Sequence, residues 1–339
     1  MTDARLPADI DFALCLTHDV DRPSKTYQCL YEAVRERSLS PLRTLVSRER
    51  PYWQFDAIVD LESSLGVRSA FYFLDEPSQL GRRPLTHLRH TKHLTNHLGR
   101  YDVDAPEIRR IVRHLDRNGW EVGLHGSSVS YRDEDRLRAE KRKLGSVLGH
   151  PVAGVRQHYL HLDVPRTWQY HARAGLRYDT SLGSSTEYGF DHGYHPIRPF
   201  DDDFVVFPLT LMETALPDPA TEFDAAHAAC ERLLDEAAVN GAVMTALWHQ
   251  RFFNDREFTG YRRLYRRLVE GALDRGAWVG PPGELYDRLH PADTTQDSGS
   301  TNSAGASSDD SAGAWGGESR TNHVEDGTDP ARLGEPSGG

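Results

Sequence analysis

From residue 12 to residue 279 the chain repeats one rhythm: a run with helical apolar spacing stops at a glycine, and a short apolar run follows. The clearest unit begins at Asp104, read as an N-cap with Glu107 as its capping-box partner. Ile108, Ile111, Val112 and Leu115 then fall at i, i+3, i+4 and i+7, Asn118-Gly119 ends the helix, and Trp120–Leu124 reads as a strand ending at His125. The pattern recurs over 56–74, 134–156, 165–178, 221–248 and 261–279, and Phe12–Thr17 and Phe204–Leu209 add further strands. Seven or eight strands alternating with helices must be joined by crossovers, which makes the pairing parallel; this many units predicts an α/β fold closed into a barrel.

Composition sets the limits of that barrel. Of 339 residues, 38% are hydrophobic and the net charge is -11; residues 291–339 hold nine acids and two bases, so residues 1–290 are only mildly acidic. No basic surface able to neutralise nucleic-acid phosphates is expected, and no nucleic-acid partner. Residues 291–339 have only Trp315, Val324 and Leu333 as large apolar side chains. They read as a disordered acidic Gly/Ser-rich tail behind a barrel domain at 1–290. Cys15, Cys29 and Cys230 lack paired metal spacing, so neither a thiolate zinc site nor a disulfide framework is expected. No apolar stretch has signal-peptide or membrane-span length, which predicts a cytoplasmic protein without an integral membrane segment.

In parallel β/α folds the chemistry sits at the C-terminal ends of the strands. Here those ends read Thr17-His18-Asp19-Val20-Asp21, His125-Gly126-Ser127, Arg156-Gln157-His158-Tyr159, Asp179-Thr180-Ser181 and His249-Gln250. Two carboxylates and several imidazoles converging on one rim suit a divalent cation, with zinc first and iron, cobalt or nickel also compatible. A carboxylate and imidazoles can hold the metal, a second carboxylate can take a proton from water, and an opposite histidine can protonate a leaving group. That set suits hydrolysis of an amide or ester.

The order and spacing of Thr17–Asp21, Gly119–His125, Gly154–Tyr159, Tyr178–Gly183 and Leu247–His249 resemble the five motifs of the polysaccharide deacetylase family, the NodB-homology carbohydrate esterases. Gly66–Phe73 also resembles that family's second strand. The resemblance implies a distorted (β/α)7 barrel and metal-dependent removal of acetyl groups from an N-acetylated sugar, glycan or sugar precursor. It further implies Asp19 as general base, Asp21 and His125 as metal ligands, Arg156 as the group that orients Asp19, His249 as general acid, and Asp179 as its support. Many members carry a second histidine four positions after the first, where this chain has Val129. His158 is assigned as the replacement ligand, with His18, Ser130 or water as rivals.

Tyr101, Tyr159 and Trp248 are expected to contact substrate, and the aromatic stretch 188–199 to wall a sugar groove. His87, His90, His93 and His97 stand at helical spacing, but Arg89, Lys92 and Arg100 make that stretch read as a solvated helix or lid rather than a metal stripe. Glu213 follows the sixth strand, and no spacing assigns it a role. Two rivals stay open: an amidohydrolase of the same fold acting on a small cyclic amide, and a glycan-binding pseudoenzyme that has lost its metal site.

Overall fold

The computed structural model describes residues 2–25, 50–76 and 100–291. The histidines at 87, 90, 93 and 97, Cys29, and the chain from residue 292 onward, which carries the tail reading, lie outside the described residues. The described strands are β1 (Thr2–Asp3), β2 (Ala13–Val20), β3 (Ala70–Leu74), β4 (Glu121–Gly126), β5 (Gly154–Gln157), β6 (Tyr178–Asp179), β7 (Ile197–Arg198), β8 (Val205–Val206), β9 (Leu209–Met212), β10 (Val243–Leu247) and β11 (Trp278–Gly280). The described helices are α1 (Phe55–Leu65), α2 (Pro106–Arg117), α3 (Glu134–Leu148), α4 (Arg166–Arg173), α5 (Phe223–Asn240), α6 (Tyr261–Asp274) and α7 (Pro282–Leu289).

The sheet runs β1-β7-β8-β6-β5-β4-β3-β2-β10-β9, with β11 also pairing β2. All pairs from β8 through β6 to β9 are parallel, and only the short β1 and β7 join antiparallel. The predicted sixth strand is split. Its first half, β8, pairs β6, while its second half, β9, pairs β10. Pro208 stands between the two halves and has no N–H to give either neighbour, so the strand changes partners there. This bent segment carries the sheet path round from one edge to the other, and the barrel is distorted where it closes.

Strand alternation sorts the side chains. Ala13 and Cys15 of β2, Ala70 and Tyr72 of β3, Tyr178 and Val243 form an inner cluster, whereas Leu14, Leu16, Phe71, Phe73, Val122, Leu124 and Val155 face the helices. The interior has room for Tyr72 and Tyr178 because β4 and β5 place Gly123 and Gly154 opposite them; a Cβ at either glycine would overlap the tyrosine ring. Leu285 and Tyr286 of α7 complete the inner cluster, and the Gly283 amide donates to Glu121 Oε2 at 2.8 Å. The inner end of the barrel is thereby closed, leaving chemistry to the other end.

Helix ends follow local rules. Asp133 caps α3 by accepting the Arg136 amide at 3.0 Å, and α1, α3 and α5 stop at Gly66, Gly149 and Gly241 in the left-handed region (φ 71°, 92° and 59°). The expected cap at Asp104 is corrected. Helix α2 starts at Pro106 with Ala105 in the cap position, because proline at the first helical position supplies the starting φ without wasting an amide.

Candidate active site

Alternation also decides what reaches the rim. On β2, Thr17 and Asp19 continue the inward set, and Asp21 follows in the same register. Their neighbours are His125 at the end of β4, Arg156 on β5, His158 just after β5 and His249 just after β10. Arg156 Nη1 donates to Asp19 Oδ1 at 3.0 Å and to Thr17 Oγ1 at 2.8 Å, while its Nε donates to the Thr180 carbonyl at 3.0 Å. Its guanidinium also lies 5.0 Å over the Tyr72 ring, so a completely buried cation is held from three sides. Burial opposes ionisation of Asp19, but Arg156 first, then His125 and His249, hold its carboxyl below the usual range.

Asp21, His125 and His158 place one ligand atom each within 4.8 Å of one another. His125 Nδ1 meets the Arg156 carbonyl at 2.9 Å, which fixes the proton on Nδ1 and turns Nε2 toward Asp21 Oδ1 at 3.2 Å. In that tautomer a lone pair faces a carboxylate, and a proton or a cation must lie between them. Burial disfavours the charged form of His125, yet Asp19 and Asp21 outweigh it and raise its pKa. Burial likewise disfavours the Asp21 anion, but His249, His125 and His158 hold its carboxyl well below the usual range.

His158 is buried, stacks on His125 with ring centroids 5.1 Å apart, and has a buried Nδ1 with no hydrogen-bond partner. Burial pushes this imidazole down to about 3, leaving it neutral with its lone pair available. The chain turns sharply just after it: Tyr159 and Leu160 both have positive φ (60° and 55°), a conformation costing on the order of 1–2 kcal/mol per L-residue. An aspartate and two histidines, one orphaned and one with its second nitrogen anchored, are a donor set suited to a zinc-like cation with open positions for water and substrate.

His249 is oriented by Glu213, whose Oε1 lies 2.7 Å from Nδ1 and whose Oε2 accepts the His249 amide at 3.3 Å. Nε2 points into the site, 3.5 Å from Asp21 Oδ2, and Arg251 Nη1 reaches the same oxygen at 3.2 Å.

No protein-family model matches the sequence, and no curated protein does. The structure is similar to that of an inferred polysaccharide deacetylase from Mycobacterium smegmatis, with a TM-score of 0.55 at 18% identity over 90% of this chain and 100% of that one. It is similarly close to an inferred polysaccharide deacetylase from Pseudomonas aeruginosa PAO1, with a TM-score of 0.55 at 15% identity over 87% and 96% of the two chains. The chain has the polysaccharide deacetylase fold. The Puue allantoinase shares it, with a TM-score of 0.53 at 14% identity over 86% and 95% of the two chains.

Within this deacetylase fold Asp19, Asp21, His125, Arg156, His158 and His249 come together, and other expected site residues do not. Asp179 does not support His249: its carboxylate accepts the Ser181 amide at 2.9 Å and hydroxyl at 2.6 Å and faces His171 Nδ1 at 3.3 Å. The supporting carboxylate is Glu213. Trp248 is no substrate wall, because it points outward, completely buried, with its ring centroid 5.5 Å from that of Tyr265. Tyr101 commits its hydroxyl to structure, donating to the Val20 carbonyl at 2.8 Å and accepting the Leu74 amide at 2.7 Å. Tyr159 stays at the rim, 46% exposed, with its ring 4.0 Å from that of His158.

Two of the rival side chains are engaged elsewhere. His18 points outward with both ring nitrogens engaged, and the Ser130 hydroxyl is shared between the Ser127 carbonyl and Gln157 Oε1 at 3.2 Å each. The segment 188–199 does not wall a groove at the rim. The Gly189 amide donates to the Thr210 carbonyl and the Val243 amide to the Tyr194 carbonyl, so this stretch passes beside β9 toward the start of β10.

Two carboxylates at the rim were not singled out as site residues. Glu213 ends β9, and Glu76 follows β3, accepting the Ser128 amide at 2.9 Å and the Ser128 hydroxyl. Burial is the main reason the Glu76 pKa is raised. The rule that places the other residues, polar groups just past strand ends, marks both, Glu76 within the Asp75-Glu76 pair that follows β3.

Proposed function

We propose that this protein is a metal-dependent hydrolase that removes acetyl groups from an N-acetylated sugar or polysaccharide. The observation that carries the reading is the convergence on one rim of an Arg156-bound Asp19, the Asp21/His125/His158 donor set, and a Glu213-bound His249. The fold shared with the inferred deacetylases supports it.

Asp21, His125 and His158 would hold the cation. When bound, a divalent metal supplies Lewis acidity, polarising an acyl carbonyl and making water a better nucleophile at neutral pH. Asp19, kept ionised by Arg156, takes a proton from the water as its oxygen adds to the acyl carbon. Glu213 accepts the Nδ1 proton of His249 and turns Nε2 to the site, where in the protonated ring it carries the proton to be given. That proton passes to the departing amine nitrogen as the C–N bond breaks, and acetate and a free amino sugar result.

The test is metal content and acetate release measured together on wild type and on Asp21→Ala, His125→Ala and His158→Ala. Near one metal per chain in wild type is expected, with affinity falling at least ~10²-fold in each variant, beyond the loss typical of outer-shell partners, and acetate release falling with it. Metal affinity unchanged in His158→Ala removes that ligand from the set. Because the allantoinase shares the fold, allantoin is assayed in parallel; ring opening without acetate release selects the cyclic-amide reading.

A further inference from the structure

Behind the site, on the helix side of β2, His18 lies between two acceptors. Its Nδ1 is 2.6 Å from the Trp248 carbonyl and its Nε2 is 2.9 Å from Glu62 Oε1. Glu62, delivered by α1 and completely buried, also accepts from the Tyr265 hydroxyl at 2.6 Å, the Ser69 hydroxyl at 2.9 Å and the Trp120 indole at 2.6 Å. The indole can only donate, so Glu62 Oε2 accepts from it. A carbonyl can only accept, so the His18 Nδ1 carries the proton that closes the contact with Trp248.

Its place in the chain gives this pair a reach that a buried polar pair elsewhere would lack. His18 immediately precedes Asp19, and Trp248 immediately precedes His249. The β2–β10 register ends at Leu247 opposite Thr17, and beyond it the Trp248 amide donates to the Thr17 carbonyl at 2.9 Å. The Trp248 carbonyl then has the His18 side chain as its partner. The ladder is extended by one side-chain rung at the level where the base and the acid leave their strands. His18 is also wedged by rings, 4.8 Å from Phe71, 5.5 Å from Phe253 and 5.6 Å from Tyr265 between centroids, which leaves it little freedom to swing.

We infer that His18, held by Glu62, is a positioning residue that sets the separation of Asp19 and His249 through the Trp248 carbonyl. The assignment rests on the hydrolase reading for its catalytic consequence. The rung itself is a property of the two strand ends.

Two substitutions separate the rung from the Glu62 contact. Asparagine at 18 can put its amide nitrogen near the Nδ1 position and keep the donor to Trp248; glutamine reaches instead toward the Nε2 position and keeps the Glu62 contact. His18→Gln is expected to lower kcat for acetate release from N-acetylglucosamine oligomers on the order of 10–100-fold, the range for a misplaced catalytic group, with KM within about twofold. His18→Asn is expected to bring kcat back to within about threefold of wild type, even though it leaves Glu62 short of a contact and melts earlier. Equal kcat in the two variants, or kcat that simply follows melting temperature, overturns the assignment.

Imidazole 15N NMR on the full chain needs no substrate. Wild type is expected to show the His18 Nδ1 protonated, and His249 resonances that move in His18→Gln but not in His18→Asn. A His18 whose Nδ1 carries no proton, or His249 resonances indifferent to His18→Gln, overturns the assignment. Wild type silent on every acetylated sugar counts against the hydrolase reading alone, and the NMR result still decides the rung. Should the position-18 variants not fold, Tyr265→Phe keeps the ring, removes one donor to Glu62, and must move the His18 and His249 resonances together.

Discussion

Glu213 and His249 share the shortest contact made by any of the site imidazoles with a carboxylate, 2.7 Å, and both Glu213 oxygens are spent on this one residue. A carboxylate that accepts from Nδ1 and from the same residue's amide fixes the ring plane as well as the tautomer, so Nε2 has one direction left, toward Asp21. Glu213→Gln keeps the shape but offers an amide in place of one oxygen. Removing a positioned acid or base costs typically 10²–10⁴-fold, and kcat is expected to fall by at least ~10²-fold with little change in KM. Steady-state kinetics beside a thermal melt check this, and unchanged kcat in a folded variant removes Glu213 from the machinery. His158 shows a different kind of constraint. Its approach to His125 is tied to two successive left-handed residues, a local strain that the tilted contact between the His158 and Tyr159 rings helps to offset.

At the scale of elements, β4 and α3 carry the support. Strand β4 brings Glu121, Gly123 and His125 inward in turn, and Gly123 is needed because the Tyr72 ring occupies the space of its Cβ. Gly123→Ala is expected to destabilise by about 1–3 kcal/mol through overpacking, read from denaturant titration, and a neutral result would show that the interior is loosely filled. Helix α3 presents Glu140 to the loop after β4, where it accepts the Ser127 amide at 3.1 Å and pairs with Arg136. Burial pushes Glu140 up to about 7, with Arg136 opposing, from an ordinary value of 4.5. Between those two values the folded chain holds a proton that the unfolded chain has released, so stability falls as pH rises through the window. The slope amounts to roughly 3 kcal/mol across it. Glu140→Gln should lose this component, so the variant gains on wild type from pH 5 to pH 8 in thermal melts; parallel curves would place the native Glu140 at an ordinary carboxylate value.

The whole barrel gathers at one rim what the chain scatters from residue 19 to residue 249. Asp21, His125 and His158, which would hold a cation, come from the end of β2, from β4 and from the turn after β5, and only the folded chain brings these together. Binding to the folded state alone stabilises by RT ln(1 + [L]/Kd), about 2.7 kcal/mol at a hundredfold excess over Kd. For a chain of this size that is a rise of roughly 4 °C in melting temperature. Zinc added to chelator-treated protein should raise the melt by that order, reversibly, and Asp21→Ala should abolish the rise; an unmoved wild-type melt would argue against a resident metal. Among the described residues no helix is long and apolar enough to cross a membrane.

The helix–glycine–strand rhythm determined the parallel barrel, because crossover connections leave parallel pairing as the way to bury those strands. The rule that chemistry follows strand ends then pointed to Asp19, Asp21, His125, Arg156, His158 and His249. Period-two alternation, pursued one step further, would have sent His18 and Trp248 outward with Leu14, Leu16 and Ala246. Three things were decided only in three dimensions. The strand from Val205 to Met212 divides between two neighbours at Pro208, which depends on where the barrel must close. Glu213 takes the place expected of Asp179, since which of two strand-end carboxylates reaches a histidine on β10 depends on which strand lies beside it, and that strand is β9. The Glu62 cluster draws on α1, α6, β2 and the approaches to β3 and β4, residues 18 to 265 in the chain. Local pattern fixes which way a side chain points, and only the packed barrel fixes what it meets.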